Sequence, residues 1–178
     1  MTTAMHIRRI RPTGIPRFLW TSFTMDCRET RHNRQGECSL IHETPIHIRY
    51  SDTDLNGHVN NAVYATYMEE SRISFLQEVF PGQRLPLVIA SLHIDFRQET
   101  RYPEHTDVIA RTWLTRLGRS SFEFFCQIVS VRGEVMCEGT AVVVHYDFEK
   151  RKSAPLPDWA REKLLPYVRE REESNVGV

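Results

Sequence analysis

The segment that decides the fold is RYSDTDLNGHVNNAVY, residues 49–64. It concentrates two carboxylates, one imidazole and three amide side chains within residues 52–61. Just before it, apolar and polar residues alternate, which predicts a strand over 44–50. After it, apolar residues recur every three or four positions, which predicts a helix from about Asn61 to Val79. The sequence therefore places a reactive polar loop between a strand and the start of a long helix.

The predicted helix has recognisable ends and an unusually apolar surface. Asn60 or Asn61 suits the N-cap position, and Pro81-Gly82 stops the helix. Backbone N–H groups at such a helix start can stabilise negative charge. Apolar side chains cover more than half of the helix circumference, so we expect other structure to surround the helix.

Four further strand-like segments follow the helix. They span residues 86–97, 106–115, 121–131 and 135–146. The last of them contains Val142, Val143 and Val144, which are predicted to be fully buried. One strand, one long helix and four strands with short turns predict an α+β fold. In this fold, one antiparallel sheet of about five strands curls around the helix.

Composition sets the outer limits of function. Lysines plus arginines and acidic residues number 23 each, so no overall positive field attracts nucleic acid. No apolar run approaches the roughly 20 residues of a membrane span. The four cysteines show no C-x-x-C spacing, which favours buried free thiols in a reducing cytoplasm.

The chain is predicted to comprise an N-terminal extension over 1–42, the α+β domain over 43–150 and a C-terminal segment over 151–178. The start of the extension is arginine-rich and acid-poor, so an organelle transit segment is the alternative to a cytoplasmic location. The C-terminal segment should hold a short helix from Trp159 to about Arg169, capped by Asp158.

The pattern Asp-x-Asp followed by His-Val-Asn-Asn-x-x-Tyr resembles a loop of the hotdog-fold acyl thioesterases, the 4-hydroxybenzoyl-CoA thioesterase-like group. The narrower pattern Asp54-x-Asn56-x-His58 is most similar to the plant acyl-ACP thioesterases of that superfamily. The resemblance extends over roughly residues 43–158, although only the loop is specific. It implies a hotdog fold, hydrolysis of acyl thioesters without a cofactor, and a homodimer or homotetramer with sites at the shared interface.

The resemblance also assigns candidate catalytic residues. Asp54 would act as general base or nucleophile, and Asn56 and His58 would orient water or polarise the carbonyl group. Glu69, on the helix, is the reserve candidate for the catalytic acid. Asp52 is expected to hold the loop through bonds to backbone N–H groups.

Substrate binding needs hydrogen-bond donors for the developing oxyanion and cations for phosphate groups. The backbone amides of about Val59 to Asn61 are the predicted donors. The full set of candidate binding residues lies on the loop, the helix and two later turns: Val59, Asn60, Asn61, Tyr64, Arg116, Arg119, Lys150, Arg151 and Lys152. The last five would contact coenzyme A or the arm of an acyl carrier protein.

Two metal-binding alternatives are disfavoured. Asp52-x-Asp54-x-Asn56-Gly57 matches the first half of a calcium loop, but Val63 occupies the position of the bidentate glutamate. A transition-metal site built from Asp52, Asp54 and His58 lacks a supporting His-x-x-x-His pair. The open functional alternatives are an acyl-CoA thioesterase, an acyl-ACP thioesterase and an acyl-binding module that performs no hydrolysis.

Overall fold

The computed structural model describes residues 39–170. Its elements in chain order are β1 (His42–His47), α1 (Asn61–Val79), β2 (Leu87–Phe96), β3 (Asp107–Leu117), β4 (Ser121–Ser130), β5 (Val135–Asp147), β6 (Lys152–Ser153) and α2 (Asp158–Leu164). Short 3₁₀ turns follow β1 at Tyr50–Asp52 and α2 at Leu165–Tyr167. Nearly all of the predicted extension, and the last eight residues, lie outside the described part.

The strands form one antiparallel sheet in the order β1-β3-β4-β5-β2, with β6 paired to the end of β5. The predicted antiparallel sheet is therefore confirmed. The end of β2 and the start of β3 lie at one end of the sheet, where Ile48 donates to the carbonyl of Thr106. The loop after β1 occupies this end of the sheet.

Helix α1 packs on one face of the sheet and has the predicted bounds. The Asn60 side chain accepts a hydrogen bond from the backbone N–H of Ala62, which confirms the N-cap. The helix is not enclosed on all sides, however. Glu69, Glu70 and Ile73 are exposed, and Ile73 retains 49% of its accessible surface. Within the single chain, the sheet covers one side of the helix and leaves these residues in contact with solvent.

The core lies between α1 and the sheet and divides into two clusters. One cluster gathers near the start of the helix around Tyr64, Met68 and Ile128. The other gathers near its end around Phe75, Leu114 and Phe124 and is completed by α2. Burial at these positions follows the alternation of strand faces.

Two local expectations from the sequence are wrong. Val142 and Val144 are only half-buried, because they lie on the sheet face away from α1, whereas Val143 faces the core. Asp158 is the first residue of α2 and makes no capping bond; Pro157 holds the N-cap position. The helix also ends early, at Leu164, since Pro166 cannot donate a helical hydrogen bond.

The two edges of the main sheet differ in character. Edge strand β1 carries Pro45 and buries Ile46, so it presents little apolar surface. Edge strand β2 exposes Ile89, Leu92 and Phe96 at 42–50%. A bulge between Ile89 and Ser91 shifts the register of β2, so the apolar residues before and after the bulge do not follow one alternation of sheet faces. The apolar edge that needs cover is therefore β2.

Candidate active site

The loop between β1 and α1 is fastened to the helix through Asp52. The Oδ2 atom of Asp52 accepts hydrogen bonds from the backbone N–H of Arg49 at 2.9 Å and from the hydroxyl of Tyr67 at 2.8 Å. The carbonyl of Asp52 accepts from the backbone N–H of Asn60 at 2.9 Å. Burial, and next the bond to Asp52, raise the pKa of Tyr67. Asp52 therefore has the structural role that the sequence predicted.

Asp54 lies at the exposed turn of the loop and uses only one of its carboxylate oxygens for structure. Its Oδ1 accepts from the backbone N–H groups of Asn56 at 2.8 Å and His58 at 3.0 Å. Gly57, with φ of 77°, allows the sharp reversal that brings these two amides to one oxygen. Within residues 39–170, Oδ2 has no hydrogen-bond partner, so it is the oxygen available for chemistry.

The predicted oxyanion donors are mostly committed to the fold. The backbone N–H of Val59 donates to the carbonyl of Thr100, and that of Asn60 donates to the carbonyl of Asp52, both at 2.9 Å. Only the N–H of Asn61, at the first position of α1, has no acceptor among the described residues. The donor group predicted over three residues therefore reduces to one amide at the positive end of the helix dipole.

Residues 99–102, which follow β2, support the loop from behind, and sequence reasoning missed them. Thr100 accepts from the amide of Val59, and the amide of Tyr102 donates to the carbonyl of Gly57 at 2.9 Å. The hydroxyl of Tyr64 donates to Oγ1 of Thr100 at 2.7 Å inside the core. Tyr64 is only 3% exposed and packs in the core, and its predicted contact with substrate stays a prediction.

His58 projects beside an ion pair. Its Nε2 lies 3.2 Å from Oε2 of Glu99, although the two atoms are not aligned for a full hydrogen bond. Arg101 donates two hydrogen bonds to the same carboxylate, from Nε to Oε1 at 2.9 Å and from Nη2 to Oε2 at 3.2 Å. The hydrogen bond from Arg101 is the main cause that holds the pKa of Glu99 below its usual range.

The remaining candidates are spread over the molecule. Asn56 is exposed in the loop beside Asp54, whereas Glu69 is exposed on α1 with no bond to the loop among the described residues. The predicted phosphate-binding cations lie where β3 ends and β5 turns, and Lys150 pairs there with Asp147 at 3.2 Å. This is the opposite end of the sheet from Asp54, and the 11 residues of β3 that join the two ends span roughly 35 Å. One chain therefore does not bring these five predicted cations to its own loop.

Metal and thiol chemistry find little support in the described part of the chain. Residues 39–170 contain no group of three potential metal-binding side chains. Burial raises the pKa of the Cys126 thiol to about 11 and that of Cys137 to about 12, so both thiols stay protonated. Cys27 and Cys38 lie outside the described residues. No helix within 39–170 has the length and apolarity to cross a membrane.

Comparison with known proteins identifies the family. Residues 48–164 match the model of the thioesterase-like superfamily. The chain belongs to this superfamily. The predicted hotdog fold and the class of hydrolase are thereby confirmed.

Three similar proteins show how the similarity is distributed. The acyl-CoA thioester hydrolase YbgC of Escherichia coli O6:H1 is 25% identical over 119 residues, which cover 64% of this chain and 87% of YbgC. The chloroplastic acyl-acyl carrier protein thioesterase ATL3 of Arabidopsis thaliana is 28% identical over 138 residues, covering 74% and 72% of the two chains. A thioesterase from Thermus thermophilus, crystallised with coenzyme A and zinc, has a TM-score of 0.61 at 30% identity, covering 68% and 90%.

Proposed function

We propose that this thioesterase hydrolyses acyl-CoA to the free acid and coenzyme A, with Asp54 as general base or nucleophile. The observation that carries the proposal is the difference in hydrogen bonding between the two oxygens of the Asp54 carboxylate. Oδ1 is fixed by two backbone amides, so Oδ2 is held in a defined direction and keeps no partner among the described residues. A carboxylate is ordinarily ionised at neutral pH and can act without further activation.

Two routes fit this geometry. In the first, Oδ2 removes a proton from water while the water oxygen bonds to the thioester carbonyl carbon. In the second, Oδ2 itself attacks that carbon and forms an acyl–aspartyl anhydride, which water then cleaves. In both routes the C–S bond breaks and the thiolate of coenzyme A leaves and gains a proton. The N–H of Asn61, which has no acceptor within residues 39–170, is the candidate donor to the oxyanion.

A second copy of the chain would complete the site. A two-fold axis perpendicular to the sheet would pair the exposed β2 edges of two chains antiparallel. That arrangement brings the cation-bearing end of one sheet towards the loop end of its partner. It would place Arg116, Arg119 and the Lys150–Lys152 turn near the partner's substrate, where phosphates need positive charge. The separation of the cations from Asp54 within one chain supports this reading.

Hydrolysis by the Asp54→Asn variant tests the assignment. Asparagine keeps a carbonyl oxygen for the amides of Asn56 and His58, but it can neither accept a proton nor attack as an anion. We expect the variant to fold and bind acyl-CoA while turnover falls by about 10²-fold or more. Thiol release over a panel of acyl-CoAs measures turnover, and thermal melting measures folding.

The control separates catalysis from loop structure. Asp52→Asn changes the neighbouring carboxylate, whose Oδ2 binds the Arg49 amide and the Tyr67 hydroxyl, so it should cost stability and affect turnover less. Near-normal turnover of Asp54→Asn would contradict the catalytic assignment and make Glu69 the next residue to replace. A wild-type protein that binds acyl-CoA without releasing thiol would instead support an acyl-binding module.

An acyl carrier protein thioester is the second candidate substrate. It is favoured by the Asp54-x-Asn56-x-His58 pattern and by the similarity to the Arabidopsis enzyme. The same acyl group offered on coenzyme A and on a carrier protein would decide between the two. A kcat/KM at least tenfold higher on the carrier protein would reverse the choice of coenzyme A.

A further inference from the structure

Arg72 of α1 is a buried cation without an anionic partner among residues 39–170. It retains 6% of its accessible surface, and its guanidinium makes no hydrogen bond or ion pair within that part of the chain. Glu69, one turn earlier, attracts it electrostatically but is exposed and does not pair with it. Burial is the main cause that lowers the pKa of Arg72, yet a guanidinium stays protonated in proteins. A buried charge of this kind is costly unless an anion neutralises it.

The guanidinium lies beside an open apolar strip on the helix side of the sheet. Met68, one turn before Arg72, packs against Gly139 of β5, so this flank of α1 faces β5. The helix packs over β1, β3 and β4, and β2 is the next strand beyond β5. Leu92 of β2 pairs with the core residue Ala141, so it shares the helix side of the sheet, where 42% of its surface is exposed.

We call this strip the β2 groove; its outer wall consists of Ile89, Leu92, Ile94 and Phe96 on β2. Arg72 lies at its inner side, on α1. None of the Arg72 nitrogens is fully shut off from solvent, so the guanidinium meets the opening of the groove. Pairing of two chains through the backbone edge of β2 leaves these side chains on the helix side of the joined sheet.

The β2 groove suits an acyl chain that carries a negative charge at its far end. Apolar walls bind methylene groups, and a guanidinium binds a carboxylate through two parallel hydrogen bonds. Asn61, the candidate oxyanion donor, and Arg72 lie on the same helix, about 16 Å apart along its axis at about 1.5 Å per residue. Long helical side chains lean towards the N-terminus, so the guanidinium reaches back towards Asn61. The distance that remains is that of a medium-length acyl chain.

We propose that Arg72 binds a carboxylate at the far end of the acyl group, so that the preferred substrates are medium-chain acyl thioesters that end in a carboxylate. The inference rests on the proposed hydrolysis and deepens it by naming the class of acyl group. A carboxylate-ended chain neutralises the buried guanidinium. A chain that ends in a methyl group covers Arg72 further without offering an acceptor, and this cost is the source of the discrimination.

Matched pairs of coenzyme A thioesters test the substrate class. The kcat/KM of the wild type is compared for octanedioyl-CoA against octanoyl-CoA, and for decanedioyl-CoA against decanoyl-CoA. We expect at least about tenfold preference for the carboxylate-ended member, the scale of a hydrogen bond to a charged group. Arg72→Met should abolish this preference. Arg111→Met is the matched control, because Arg111 pairs with Glu43 on the opposite face of the sheet, and it should retain the preference.

A second variant guards against loss of folding, which thermal melting measures. Arg72→Gln keeps N–H donors but removes the charge, and it should also lose most of the preference. Equal or faster hydrolysis of the methyl-ended thioesters by the wild type would overturn the inference. A preference that survives in folded Arg72→Met or Arg72→Gln would overturn it as well.

Binding separates this inference from the proposed function. If the wild type hydrolyses none of the thioesters, the proposed function falls, and thermal melting with octanoate and with octanol decides the carboxylate site alone. A melting temperature that rises with octanoate, but not with octanol and not in the Arg72 variants, would support the site. Equal shifts with the two compounds, or an unchanged shift in the Arg72 variants, would exclude it.

Discussion

Replacing Tyr67 with phenylalanine should loosen the active-site loop while leaving the core packed. The Tyr67 ring is 4% exposed and stays in place, so the change removes only the 2.8 Å bond to Oδ2 of Asp52. Hydrogen bonds to charged groups contribute about 1.5–3 kcal/mol. Asp52 is half-exposed and keeps the amide of Arg49, so we expect the lower end, about 1.5 kcal/mol. For a chain of this size that loss corresponds to a drop in melting temperature of about 3–6 °C.

Turnover should respond more than stability does. The Asp52 side chain accepts a bond from Tyr67, and the Asp52 backbone carbonyl accepts a bond from the Asn60 amide. If Asp52 moves, the loop and the start of α1 therefore move with it. We expect thiol release to slow by about tenfold, because a misplacement of about 1 Å can cost as much as 10²-fold.

Ser71→Ala is the control for this prediction. Ser71, also on α1, exchanges a 2.6 Å buried bond with Thr112 of the sheet, away from the loop. It should cost similar stability and leave turnover unchanged. Equal turnover of Tyr67→Phe and wild type, or equal slowing by both variants, would refute the claim that Tyr67 acts through the loop.

Two further predictions concern the edge strand and acid stability. Leu92→Lys should reduce the mass measured by light scattering, since it places a charge on the β2 edge. Leu165→Lys, at another exposed leucine, is the control and should leave the mass unchanged. An unchanged mass for Leu92→Lys would exclude pairing through β2. Burial lowers the pKa of His42 despite the attraction of Glu78. The unfolded chain therefore binds a proton at His42 more readily than the folded chain, and the free energy of unfolding should fall as pH drops below about 6.5. His42→Gln should flatten that slope in urea unfolding between about pH 5 and 7, whereas a slope equal to that of wild type would assign the acid sensitivity elsewhere.

The sequence predicts α1 well because its signals are local. A 3.6-residue period, an N-cap at Asn60 and the stop at Pro81-Gly82 all act within a few residues of the helix, and the observed bounds agree with the prediction. The position of Asp54 just before a helix start was accessible for the same reason. These features depend on the chain's immediate neighbours, which a single sequence contains.

The supports of the site were not accessible, because they connect residues about forty positions apart. Glu99 and Thr100 come after a strand, and no periodic pattern or turn motif marks these two residues. Their contacts with His58 and Val59 form only when the fold brings the two segments together. The exposure of β2 was hidden for a related reason. Alternation predicts a strand with one apolar face, but pairing order decides whether that strand is central or at an edge.

The exposure of Asp54 and the exposure of β2 call for the same explanation. A carboxylate in open water is fully hydrated, whereas electrostatic stabilisation of a thioester transition state is stronger where water is excluded. Beside Asp54, Leu55 is fully exposed in the single chain, and the β2 edge leaves Ile89 and Leu92 uncovered. We therefore expect a second copy to cover both, so that Leu92→Lys abolishes hydrolysis along with pairing. A monomeric Leu92→Lys variant with full turnover would show that one chain encloses its own site.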